Sequence, residues 1–144
     1  MICAMTLRSM IVFMLVSLSI VPALASGEYG NSADVAAVRK AVDSIVIHGR
    51  GYTCTVHANR VAVIGAYAYV DVFERDPCGA GAEDLWAKRN GSWVRALLGK
   101  PMVLPCTMSS IGVPRDVISQ LYMHLDGTAA AKVQEELRHC SRSR

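Results

Sequence analysis

The sequence lacks the short motifs that most often carry enzyme chemistry. No two cysteines stand at CxxC spacing, so neither a thiol redox pair nor a zinc knuckle is indicated. No HExxH metal motif and no GxSxG nucleophile elbow occurs. The net charge is only +3, without the basic stripe that is typical of nucleic-acid recognition. These absences disfavour cofactor, metal and nucleic-acid functions, and we expect none of the three.

The amino-terminal segment has the composition of a secretory signal peptide. Arg8 supplies the positive charge, residues 10–21 the apolar centre, and Ala23-Leu24-Ala25 the A-x-A cleavage site. The apolar run is shorter than the roughly 20 residues of a spanning helix, although an uncleaved membrane anchor is the alternative. We therefore expect a signal peptide at 1–25, a single domain at 26–144, and a periplasmic or secreted protein without a membrane span after cleavage.

The cysteine count predicts two disulfide bonds. Of the 5 cysteines, Cys3 leaves with the signal, which gives the exported chain an even number. If the predicted sheet is a meander, two of its loops leave at the same end, which favours a bond between Cys78 and Cys106. Cys54 then pairs with Cys140. The sequential pairing, Cys54 with Cys78 and Cys106 with Cys140, stays open.

Hydrophobic periodicity predicts an α+β domain, with an amino-terminal helix on a four-stranded antiparallel meander and two carboxyl-terminal helices. A short turn at 58–60 separates the first two strands, and Gly65 marks a bend or bulge in the second. Asn90-Gly91 predicts the turn of a hairpin, with Trp86 and Trp93 in the core. The predicted elements are a helix at 33–48, strands at 52–58, 61–73, 83–89 and 92–98, an irregular crossing at 99–112, and helices from Pro114 and from Thr128 to Cys140.

Three stretches resemble small exported bacterial domains of unknown function, which are similar to cystatin-like and NTF2-like folds. These stretches are Gly65-Ala-Tyr-Ala68, Leu85 to Val94, and Ile111-Gly-Val-Pro114. The resemblance covers roughly residues 35–125 and concerns a hairpin turn and a helix start, so it implies architecture and carries no catalytic residue. Such folds host inhibitors, binding modules and some enzymes.

Two groups of residues are candidates for a site. Carboxylates gather around the end of the long strand, where they are typical of a solvated loop, an acid/base pair or a rim for a basic partner: Asp71, Glu74, Asp76, Glu83 and Asp84. A pocket between the first helix and the curled sheet is predicted to be lined by Tyr67, Tyr69 and Trp86.

The sequence is therefore interpreted as an exported binding module without catalytic residues, an inhibitor or immunity-type partner of another protein or of an envelope component. The alternative is a small hydrolase or ligand carrier that uses the predicted pocket.

Overall fold

The computed structural model describes residues 28–74, 79, 81–99 and 102–140. Within these residues the chain forms a mixed six-stranded sheet with helices on both faces. The predicted signal peptide and Cys78 lie outside the described residues. The elements are β1 (Glu28–Tyr29), α1 (Ser32–Asp43), β2 (Val46–Gly49), β3 (Tyr52–Ile64), β4 (Tyr67–Glu74), β5 (Gly81–Arg89), β6 (Ser92–Leu98), α2 (Pro105–Ser110), α3 (Arg115–Asp126) and α4 (Ala130–Cys140).

The predicted α+β class is confirmed, but the sheet has six strands instead of the four predicted for the meander. Strands β2 to β6 pair antiparallel in sequence order, and β1 pairs in parallel with β3. The sequence analysis extended α1 to His48, whereas the helix ends at Asp43 and β2 follows. The β-branched run at 45–47 favours an extended strand. Gly51, at φ +82°, then makes the turn into β3.

The central strands turn where a bulge was predicted and have a bulge where a turn was predicted. The chain reverses at Gly65-Ala66, where Gly65 has a φ of +58°. The predicted turn at 58–60 is instead a β-bulge, because the pairing register with β4 shifts between Ala58 and Arg60. One extra residue in a strand reverses the alternation of its side chains. Ala58 and Val61 therefore face the same side of the sheet.

Helices cover both faces of the sheet and define two cores. The buried stripe of α1, Val35, Val38 and Val42, packs on one face, which also buries Trp86 and Trp93 at 4% and 8% exposure. The prediction that both tryptophans are core residues is confirmed. The second core lies between the other face and the carboxyl-terminal helices, and its members include Ala62, Tyr69, Leu85, Met108, Ile118, Leu121, Leu125, Val133 and Leu137.

A disulfide joins α2 to α4 and corrects the predicted connectivity. Cys106 is bonded to Cys140, with a Cα–Cα distance of 5.4 Å. The favoured pairing of Cys106 with Cys78 and of Cys140 with Cys54 was therefore wrong, and the Cys106–Cys140 bond of the sequential alternative is confirmed. Cys54 is also disulfide-bonded. The error arose because residues 99–112 were treated as irregular. The helix α2 within them lies against α4, which brings Cys106 to the last helix.

Candidate functional site

The structure places the three residues of the predicted pocket on opposite faces of the sheet. Tyr69 is fully buried in the core beneath the carboxyl-terminal helices, and Tyr67 packs against the same core. Trp86 lies on the opposite face, beneath α1. The space between α1 and the sheet is filled by side chains such as Val38 and Val61, both at 0% exposure. The predicted lining is therefore not brought together, because Tyr67 and Tyr69 face the core on the other side of the sheet from Trp86 and α1.

The predicted acidic cluster is assembled only in part. Asp71 and Glu83 are direct cross-strand neighbours on β4 and β5. Asp84 lies on the other face, fully buried, with Arg95 Nη1 3.3 Å from its Oδ2. Asp76 and the side chain of Glu74 lie outside the described residues. The alternation of a strand separates Glu83 from Asp84.

A third carboxylate, Asp126 at the end of α3, comes close to Asp71 and Glu83. Arg60 connects the parts of this cluster, since its Nε lies 3.2 Å from Asp71 Oδ2 and its Nη1 donates to the carbonyl of Leu125. The side chain of Asn59 also donates to Asp71 Oδ2, at 2.9 Å. No sequence pattern pointed to Asp126, because the packing of α3 on the sheet brings it there.

Burial dominates the electrostatics of this cluster. Burial raises the pKa of Glu83, and the nearby Asp126 and Asp71 carboxylates raise it further, against the lowering effect of the Tyr69 hydroxyl, which donates to Glu83. Partial desolvation likewise raises the pKa of Asp126, and Arg60 opposes that effect. Burial raises the pKa of Tyr69 far above its ordinary range, so its hydroxyl stays protonated. The cluster therefore fastens α3 to the sheet.

A surface groove of about 330 Å³ lies between α1 and the β5–β6 hairpin. Its walls come from Ala37, Ala41 and Ser44 of α1 and from the hairpin end around Trp93. Trp93 is 8% exposed, so its ring forms an apolar floor. The sequence analysis placed Trp93 in the core only, and no local pattern indicates that one of its edges borders a groove.

The charge around this groove is positive. Lys40 lines it and is exposed. Within the part of the chain that the structure describes, no carboxylate lies within ion-pairing distance of Lys40. Lys88 is different, because its Nζ lies 2.6 Å from Asp34 Oδ1 and 5.7 Å from the Trp93 ring centroid. The hydrogen bond from Lys88 lowers the pKa of Asp34.

Strand β6 ends the sheet on the side next to the groove. Its inner edge pairs with β5, and among the described residues no strand pairs with its outer edge. Val94 and Leu98 on this strand are 40% and 52% exposed. The chain then folds closely over Gly99, and Met102 and Leu104 are 52% and 50% exposed. An open strand edge next to exposed apolar side chains is a surface on which another chain can pair.

A second depression, of about 150 Å³, lies near the same hairpin turn but on the opposite face of the sheet, and is bordered by Tyr67, Arg89 and Ile111. No group of three or more histidine, cysteine, aspartate or glutamate side chains in the described residues is arranged to hold a metal ion. None of the described helices is long and apolar enough to cross a membrane.

Comparisons of the chain with protein-family models, with curated proteins and with solved structures gave no match.

Proposed function

We propose that the protein is an exported, non-catalytic module that binds another protein or an envelope component, as an inhibitor or an immunity-type partner does. The observation that carries this proposal is the outer edge of β6, which has no paired strand among the described residues and is bordered by Val94 and Leu98. Soluble proteins usually protect such an edge with charges, prolines or a covering element. Exposed apolar side chains on an open edge favour a binding surface.

The polar cluster supports the same proposal, because its groups are occupied by contacts within the chain. Asp71 accepts hydrogen bonds from Asn59 and Arg60, and Glu83 accepts one from Tyr69. A general acid or base has to reach the proton that it transfers. The groove beside α1 and the second depression, as far as the described residues line them, contain no carboxylate. The alternative is a small hydrolase or ligand carrier, and the surface groove beside α1 is where such a protein would bind its ligand.

We also propose that the protein is exported and that its fold is similar to cystatin-like and NTF2-like folds. The signal-like segment and the even cysteine count support export. Mass spectrometry of the exported protein tests whether the signal peptide is removed after Ala25. We expect Ser26 as the first residue. Retention of Met1 on the exported protein would contradict cleavage.

Site-specific photocrosslinking tests the binding function. A photoreactive amino acid replaces Val94 in one variant and Glu135 in the other; Glu135 is an exposed residue on α4, away from β6. Each variant is irradiated in envelope extract, and the adducts are identified by mass spectrometry. We expect one saturable protein adduct at Val94 and none at Glu135. The purified adduct partner should bind the unmodified protein and bind the Val94→Glu variant more weakly.

Two outcomes would contradict the proposed function. One is the absence of any protein adduct at Val94. The other is the same set of adducts at Val94 and Glu135, since that pattern reflects unspecific contact with abundant proteins.

A further inference from the structure

The groove beside α1 reaches the start of β6, because Ser92 and Trp93 are among the residues that line it. The groove residues of α1, Ala37 and Lys40 among them, lie on the flank of the helix away from Arg39. Arg39 faces β3, since its Nη1 donates to the Ala58 carbonyl at 2.6 Å. The groove therefore opens past β6, on the side where the sheet ends. A chain that runs along β6 would place alternate side chains into it.

The backbone of β6 presents free hydrogen-bonding groups along this side. The two-residue turn Asn90-Gly91 makes Lys88 and Trp93 a cross-strand pair whose backbone groups point away from each other. The amide of Lys88 donates accordingly to the Ala66 carbonyl, at 2.8 Å and away from β6. By the same alternation, the N–H and C=O groups of Trp93 and Arg95 point to the outer edge.

Uncompensated charge near the start of β6 is positive. Lys40 in the groove and Arg89 beside the turn have no carboxylate within ion-pairing distance among the described residues. Lys88 and Arg95 are each paired with a carboxylate of the chain. A ligand strand on this edge is therefore complementary when it carries acidic residues.

We propose that the β6 edge and the groove together bind an extended acidic segment of a partner protein as an added strand. One apolar side chain of that segment packs beside Trp93 in the groove, and an acidic one lies beside Lys40. Backbone hydrogen bonds to Trp93 and Arg95 hold the segment, and the groove selects its side chains. This inference rests on the proposed binding function and names the chemistry of the partner.

Selection from a random peptide display library against the folded, disulfide-bonded protein tests the inference. We expect enrichment of acidic sequences that alternate apolar and polar residues and lack proline. The Lys40→Glu variant should bind a selected peptide about five-fold more weakly than its matched control Lys132→Glu, since exposed ion pairs contribute little. Val94→Glu should weaken binding about ten-fold relative to Val46→Glu, which changes an exposed valine on β2.

Backbone methylation of a selected peptide separates strand addition from docking through side chains alone. Methyl groups on the alternate amides that face β6 should lower the affinity at least about ten-fold, because each removes a hydrogen bond. Methyl groups on the intervening amides should leave the affinity unchanged. Equal effects of the two methylation patterns would overturn the proposal, as would enrichment of basic, proline-rich or helix-forming peptides, or no enrichment.

The two proposals fail in different ways. A specific photocrosslinked partner at Val94, together with failure of the acidic strand peptides, leaves the binding function standing and removes the strand inference. Absence of a crosslinked partner removes the binding function itself.

Discussion

Breaking the Cys106–Cys140 bond should destabilise the domain by an amount that its loop length sets. The two cysteines are separated by 34 positions, and closing a loop of that size removes about 13 cal/mol/K of entropy from the unfolded chain, or about 4 kcal/mol at 25 °C. Typical domains are stable by about 5 to 15 kcal/mol. The Cys106→Ala/Cys140→Ala variant should therefore remain folded, but with a small free energy of unfolding.

The comparison of single and double variants tests the pairing itself. Cys106→Ala or Cys140→Ala alone opens the same loop as the double change does. Each single variant should therefore lose about 4 kcal/mol of unfolding free energy, as the double variant does. Urea unfolding followed by tryptophan fluorescence measures the three free energies, because both tryptophans are buried. If the two cysteines belonged to separate bonds, their costs would add to about 8 kcal/mol. Additive costs would refute the connectivity, and a cost near zero would refute the loop argument.

Three further predictions concern the core, the acidic cluster and a close backbone contact. Trp86→Ala should lower the free energy of unfolding, measured with urea, by about 3 to 5 kcal/mol. Trp86→Phe should lower it much less, since the indole nitrogen has no hydrogen-bond partner among the described residues. Equal losses in the two variants would contradict this. Burial raises the pKa of Glu83 from 4.5, so its contribution to stability should be complete below about pH 4.5 and be lost as pH rises through the raised pKa. Glu83→Gln should flatten this pH profile and Glu135→Gln should not. Gly99→Ala should lower the free energy of unfolding by about 1 to 3 kcal/mol, because a Cβ there would overlap the Met102 backbone and the Glu83 carbonyl. Gly81→Ala is the control, since the nearest atom to a Cβ at that position is 3.9 Å away. Similar losses in the two variants would contradict the close contact at Gly99.

Local signals in the sequence predicted the elements whose conformation is determined locally. The Asn90-Gly91 turn is present, with φ values of 50° and 79°, as the dipeptide indicates. The carboxyl-terminal stop of α3 at Gly127, with φ +71°, is present as well. Both depend on backbone preferences of single residues.

Features that depend on distant contacts were not predictable. Glycine serves both in bulges and in turns, so Gly65 was assigned to the wrong one, and the bulge at Asn59 has no composition signal. The helix α2 has six residues and no side-chain cap, and its omission led to the wrong disulfide. Asp126 and the groove beside Trp93 arise only when helices pack on the sheet.

Amide hydrogen exchange along β6, with and without the partner captured at Val94, tests the central claim most directly. The amides of Trp93 and Arg95 face the outer edge and should gain protection when a partner strand pairs with them. The amide of Val94 faces β5 and should change little. Unchanged exchange at Trp93 and Arg95 in the saturated complex, with protection gained elsewhere on the surface, would contradict binding at the sheet edge.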